Sequence, residues 1–357
     1  MTRAGRGLDA ETVHADQAAQ RFAHLVADLP SQSRHAWQLG GAVPLPPSFQ
    51  DIRRVVIFGM GGSEAGGDAV ASLARLSSHT TVDVVRGHSS PLVNDHTLAI
   101  GSSFSGNTVE TLTALRAALE MGAHAFVMSA GGELLDFARA RDLPYLAYDW
   151  DGPPRTAFGY SFYAPLAVLS RLGIVRVTDR QVQDSLAGLE RGAASWNPTI
   201  PMALNEAKPI AQRTAGRIPV ILGPSWLGAA SRRWAAQINE NAKQLAFALD
   251  LPEAVHNFVE GFGALNQHDE IRAIVLTSTA LDPRDQRVVE VLAGLIATWT
   301  GDLEVVPVRG DDPLSAVASA SYLGDWVSYY LAVLGHVDPN ELHWIEPLKR
   351  QLRSQEF

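Results

Sequence analysis

The chain of 357 residues is long enough for two domains of ordinary size. With 46% hydrophobic and 19% charged residues it can bury a core, which excludes wholesale disorder, and its formal net charge of −9 argues against a nucleic-acid-binding face. It contains no cysteine, so disulfides, thiolate nucleophiles and Cys-ligated metal centres are excluded.

Residues 10–40 read as helix, with Val13, Phe22, Leu25 and Val26 at roughly helical spacing. This N-terminal stretch has no apolar segment of signal-peptide or membrane-span type, so the expected location is the cytoplasm, away from membranes. A proline-rich connector, Val43 to Pro47, leads into an alternation of strands and helices. Strands are predicted at 54–59, 82–86, 97–101, 124–129 and 145–148, with helices at 65–76 and 108–121 between them. Residues 176–208 are more polar and carry no strong strand signal. A second series then follows: strand 218–223, helix 225–243, strand 271–277, helix 284–298, strand 303–308 and helix 313–334. Asp282–Pro283 fits an N-terminal cap with proline at the first helical position.

The alternation predicts an α/β protein of two halves, each a parallel sheet flanked by helices in doubly wound fashion. The expected division is an N-terminal helical segment (1–50), a first unit (51–175), a linker (176–211), a second unit (212–339) and a helical tail (340–357).

Two strand–turn–helix junctions carry chemistry. The first, FGMGGSEAGGD (58–68), lets backbone approach a ligand at a helix N-terminus, and includes Gly62 and Ser63. It lacks the third glycine of a dinucleotide fingerprint and the Gly-Lys-Ser/Thr of a P-loop. A tight turn packed with glycine explains it equally well. The second, GSSFSGNT (101–108), sets Ser102, Ser103, Ser105 and Thr108 around Gly106 where helix N–H groups point outward. Hydroxyls and amides together can bind a phosphate dianion without Lys or Arg. The alternative is helix capping, which needs only one such residue. Both junctions lie at the carboxyl ends of predicted parallel strands, where open α/β sheets bind ligands.

The segment 232–262 concentrates Glu240, Lys243, Glu253, His256, Asn257 and Glu260. Aldose–ketose isomerisation needs a base that moves a proton between two carbons, an acid/base pair that opens the ring, and a cation near the enediolate. A Glu, a His and a Lys or Arg meet that list. A solvated helical ion pair and a structural histidine also account for them. No HExxH pair is present, and His336 with His343 lacks a metal-ligand frame, so no metal is expected.

The two loops resemble those of the sugar isomerase (SIS) domain. INENAK (238–243), PEAVHN (252–257) with EG after it, PPRTAFGY (153–160) and the block 324–352 resemble the bifunctional phosphoglucose/phosphomannose isomerase family. The resemblance implies a cofactor-free enzyme that interconverts glucose 6-phosphate and mannose 6-phosphate with fructose 6-phosphate through a cis-enediolate. It implies Glu240 as the carbon-proton base, His256 and Lys349 as ring-opening residues, and Arg155 as the enediolate cation. Gly62, Ser63, Ser103, Ser105 and Thr108 match phosphate-binding positions. It further implies a homodimer with His256 entering the partner's site; the apolar stretch Val327–Leu334 fits either part of that contact or plain core. The chain departs from the family pattern at Glu64, Phe258 and Asn340, positions that bear on substrate preference and turnover. A non-catalytic SIS-domain sugar-phosphate sensor, or an isomerase of another sugar phosphate, is the competing reading. A sensor needs the hydroxyl loop but not Glu240 with His256.

Overall fold

The computed structural model describes residues 7–9, 17–264, 270–299 and 303–354. The chain begins with two helices, α1 (Gln17–Ala27) and α2 (Leu29–Ala42). Residues 10–16 of the helix expected over 10–40 lie outside the described residues. The first sheet uses β1 (Arg54–Phe58), β2 (Thr81–Val85), β3 (Thr97–Ser103), β4 (His124–Ser129) and β5 (Tyr145–Ala147). Helix α3 (Gly62–Ser77) joins β1 to β2, α4 (Val109–Glu120) follows β3, and α5 (Gly132–Ala140) follows β4. Strand order is β2-β1-β3-β4-β5, every pair parallel. Successive strands go to opposite sides of β1, so the order reverses between β1 and β3. The two glycine- and serine-bearing loops leave the carboxyl ends of those two strands.

Helices α6 (Phe158–Arg171), α7 (Asp179–Trp196) and α8 (Ala207–Thr214) come next. The stretch expected to act as a linker therefore carries an 18-residue helix, opened by a capping box in which Thr178 and Gln181 satisfy each other's backbone. The second sheet has β6 (Ile218–Pro224), β7 (Phe247–Leu251), β8 (Ile271–Thr277) and β9 (Leu303–Pro307), ordered β7-β6-β8-β9 and again parallel. Helix α9 (Gly228–Ala242) links β6 to β7; α10 (Phe258–Gly263) and α11 (Pro283–Trp299) follow β7 and β8. Asp282 accepts from the Arg284 amide at 2.8 Å, the cap read from Asp-Pro. The chain closes with α12 (Pro313–Gly335) and α13 (Ile345–Ser354).

Helix α12 explains how the halves cohere. Every residue from Leu314 to Ala332 is buried, and the helix packs against α7, α8 and α9. A helix apolar all round belongs in a core. Of the two readings open for Val327–Leu334, dimer contact or plain core, the structure favours core: Val327 and Leu331 are buried within one chain. The continuous core runs from Phe22 of α1 through α6 to Trp326 and Leu331 of α12, joining both sheets.

Candidate active site

The two loops of the first sheet are tied into one structure. Ser63 Oγ accepts from the Phe104 amide at 3.1 Å, joining the glycine loop to the serine loop. Ser103 Oγ meets Thr108 Oγ1 at 2.8 Å and accepts from the Gly106 amide at 3.1 Å. Ser105 Oγ accepts from the Asn107 amide, and Asn107 Oδ1 accepts from the Glu133 amide in the first turn of α5. Gly106 adopts φ +69°, and a Cβ there would lie 1.7 Å from the Gly131 carbonyl oxygen, so only glycine lets the loop pass.

With so many hydroxyls nearby, neither following helix is capped by a side chain: Gly61 cannot cap α3, and Thr108 makes no cap bond to α4. Capping therefore does not account for this serine-rich loop. Two helix N-termini without side-chain caps thus start from these joined loops, the arrangement that suits an anion. Ser63 and Ser103 are buried, while Ser105 is exposed and Thr108 half-buried. Glu64, one position past Ser63, does not aim its charge into this loop. Its carboxylate pairs with Arg86 (Nε at 2.8 Å), and burial raises its pKa against that pairing.

The glycine loop also touches the turn that carries Arg155. A Cβ on Gly62 would stand 2.7 Å from the Pro154 carbonyl oxygen, so the absence of a side chain there permits loop and turn to close on each other. Arg155 is 2% exposed. Its Nε donates to Asn241 Oδ1 at 2.6 Å, and its Nη2 donates to the Pro339 and Asn340 carbonyls. Nη1 has no hydrogen-bond partner among the described residues and faces Glu240 Oε2 at 3.7 Å. Burial lowers the Arg155 pKa, opposed by Glu240 and Asp338, yet a guanidinium stays charged at any working pH.

Glu240 sits in the last turn of α9, a helix of 15 residues and therefore about 22 Å long. Its carboxylate thus lies far along α9 from the carboxyl end of β6. Lys243, three residues on, is not a free cation for a reaction intermediate. It ends α9 in the left-handed conformation (φ 52°), and its Nζ donates to the carbonyls of Glu240, Asn241 and Asp338 at 3.0, 3.3 and 2.6 Å. Lys243 thereby ties the end of α9 to the 338–340 segment that grips Arg155. A cavity of about 550 Å³ opens beside this cluster, walled by Arg21, Phe104, Trp150, Pro153, Asp338 and Asn340.

Within one chain the structure brings together the two loops, Arg155 and Glu240. His256 is elsewhere: it lies exposed on the turn Glu253–His256 after edge strand β7, with no hydrogen bond or ion pair among the described residues. Lys349 is exposed on α13. Sequence reasoning assigned no role to Asn241, Gln237, Arg233 or Asp325, which surround Arg155. The adjacency of Asn241 to Glu240 within INENAK was the available signal. No group of three or more His, Asp or Glu side chains suited to a metal ion occurs among the described residues.

A two-sheet parallel α/β body with hydroxyl loops at its strand-order reversal, and a buried arginine facing a glutamate, defines the phosphosugar-isomerase class. The fold matches a hypothetical protein of Thermus thermophilus with a TM-score of 0.75 at 17% identity, covering 95% of this chain and 93% of that one. The profile of the bacterial phospho-glucose isomerase C-terminal SIS domain matches residues 203–352. A bifunctional phosphoglucose/phosphomannose isomerase of Caldicellulosiruptor bescii is 31% identical over 92% of this chain and 97% of its own length; one of Aquifex aeolicus is 28% identical over 84% and 90%. The chain belongs to the bifunctional phosphoglucose/phosphomannose isomerase family and is an aldose–ketose isomerase.

Proposed function

We propose that the protein interconverts glucose 6-phosphate and mannose 6-phosphate with fructose 6-phosphate, acting in the cytoplasm as a homodimer. The observation that carries this reading is the Arg155–Glu240 pair: a buried guanidinium with one unpartnered nitrogen 3.7 Å from a carboxylate, beside two uncapped helix N-termini.

In this reading the phosphate is held by Ser105, Thr108 and the N–H groups at the starts of α3 and α4, while Ser63 joins the two loops and Ser103 braces the serine loop from within. Glu240 removes the proton from carbon 2 of the open-chain aldose and returns it to carbon 1. The electron pair moves onto the carbonyl oxygen, and the second proton passes between the two oxygens, so the reaction is redox-neutral. The charge that develops on those oxygens is met by Arg155 Nη1, already desolvated and fixed. His256 and Lys349 open the ring. His256 is exposed and has no hydrogen bond or ion pair among the described residues of one chain, and its place in this scheme is the site of the second subunit.

A coupled assay with glucose 6-phosphate and mannose 6-phosphate tests the substrate assignment. Turnover of both supports it, turnover of one restricts the enzyme to a single epimer, and turnover of neither overturns it.

A further inference from the structure

Asn241 is buried, next in sequence to Glu240, and belongs to a hydrogen-bond chain whose direction can be worked out. Ser328 Oγ, on α12, donates to the Asp325 carbonyl at 2.8 Å. A hydroxyl has one proton, so Ser328 Oγ can only accept from Asn241 Nδ2, 2.9 Å away. The amide is thereby locked with its oxygen toward Arg155 Nε, at 2.6 Å. Arg155 Nη2 is held on the other side by the Pro339 and Asn340 carbonyls. Three of the five guanidinium N–H bonds are thus fixed by the fold, and the two of Nη1 are the ones left over.

The backbone of Arg155 is held from the same helix. Arg233 Nη2 donates to the Arg155 carbonyl at 3.1 Å and to Asp325 Oδ2 at 2.8 Å. Gln237 donates to Asp325 Oδ1 at 2.7 Å and reaches the same Arg155 carbonyl at 3.5 Å. One turn of α12, Asp325 to Ser328, therefore orients both ends of Arg155 through α9.

We infer that Asn241 is a positioning residue: with its amide direction set by Ser328, it aims Arg155 Nη1 at the place where the enediolate charge develops. This rests on the isomerase reading of Arg155 and Glu240. Asn241 is fully buried, with its side-chain bonds running to Arg155 and Ser328, so its effect on the reaction is expected through Arg155.

The test is a double-mutant cycle on the purified full-length enzyme with Asn241→Leu, Arg155→Ala and the pair. Asn241→Leu is expected to lower kcat on the order of 100-fold, the loss that a misplacement of about 1 Å produces. KM should stay within about twofold, because the phosphate contacts are untouched. An arabinonate phosphate, which mimics the enediolate, should lose its affinity advantage over substrate in the same proportion as kcat. The pair should be no slower than Arg155→Ala alone. Losses that multiply, or an analogue that keeps its advantage in Asn241→Leu, overturn the inference, since a merely structural asparagine lowers the melting temperature without changing that ratio. If Asn241→Leu does not fold, Ser328→Ala frees the amide to turn. It should cost on the order of 10-fold in kcat with the same signature, and unchanged kcat in folded Ser328→Ala overturns the inference. If Arg155→Ala itself keeps full kcat, the assignment of Arg155 fails and takes this inference with it. A slow Arg155→Ala beside an unimpaired Asn241→Leu removes only the inference.

Discussion

Arg155 Nη1 and Glu240 Oε2 face each other at 3.7 Å without a hydrogen bond between them, although one comes from the turn after the first sheet and the other from the end of α9. A pair held only to form a salt bridge would close to hydrogen-bonding distance, as Arg233 and Asp325 do at 2.8 Å. Here the other guanidinium nitrogens are fastened to Asn241 and to the 339–340 carbonyls, so the arginine does not collapse onto the glutamate. Each group keeps capacity for a substrate.

The first consequence concerns proton transfer. Glu240→Gln preserves shape and hydrogen bonding but removes the base. Incorporation of solvent deuterium into product should fall about 100-fold to 10,000-fold, the usual contribution of a positioned general base. Thermal stabilisation by substrate should survive, since the phosphate loops are intact. Deuterium exchange at the wild-type rate in this variant moves the base to another residue.

The serine loop divides its hydroxyls between two tasks, and substitutions should separate them. Ser105→Ala and Thr108→Val should each raise KM by about 10-fold to 150-fold with kcat nearly unchanged, because a hydrogen bond to a charged phosphate contributes about 1.5–3 kcal/mol and is made equally in ground and transition states. Ser63→Ala removes the acceptor that joins the loops at the Phe104 amide and should lower the melting temperature as well. Steady-state kinetics with thermal melts on the three variants check this. Unchanged KM in both Ser105→Ala and Thr108→Val rejects the phosphate site.

Stability should depend heavily on Asp325. It is buried under α9, its pKa raised by burial against the pull of Arg233 and Gln237, and Arg233 beside it stacks on Phe158 at 4.1 Å. Asp325→Ala leaves a buried arginine without its counter-ion and should cost about 3–5 kcal/mol, read as a lower urea midpoint at unchanged m-value. A loss below about 1 kcal/mol would mean that the pair contributes no more than an exposed one.

The sheet strands were legible because both faces of each sheet are covered, which forces near-continuous apolar runs such as RVVIF and IRAIVLT. Strand β7, FALDL, was missed: it is a sheet edge with Phe247 half exposed, and its pattern sits inside a stretch dense in chemical groups. Helix α12 was legible as a helix, but its partner was not, for the opposite reason. Its residues are buried on every side, so Val327–Leu334 carries no polar face to tell core from interface. The loops and Glu240 were readable from spacing, and Arg155 from family resemblance. The Asn241–Ser328 chain was not, since it depends on α12 crossing α9 some 87 residues away in sequence.

The remaining prediction follows from where His256 lies. In one chain it lies on the turn beyond edge strand β7, exposed and without a hydrogen bond or ion pair among the described residues, while Glu240 faces Arg155 at 3.7 Å. A two-fold dimer uses the same patch on both subunits, so a His256 that crosses the interface completes two identical sites. Glu240→Gln and His256→Ala chains, each inactive alone, can then be mixed under conditions that exchange subunits. If Glu240 and His256 of one site come from different chains, every mixed dimer holds one doubly broken site and one intact site. Random exchange makes half the dimers mixed, so activity should return to roughly a quarter of the wild-type value. If both residues come from one chain, every site stays broken and no activity returns. Exchange is followed by native mass spectrometry, and mixed dimers without activity reject the shared site while leaving Arg155 and Glu240 as they stand.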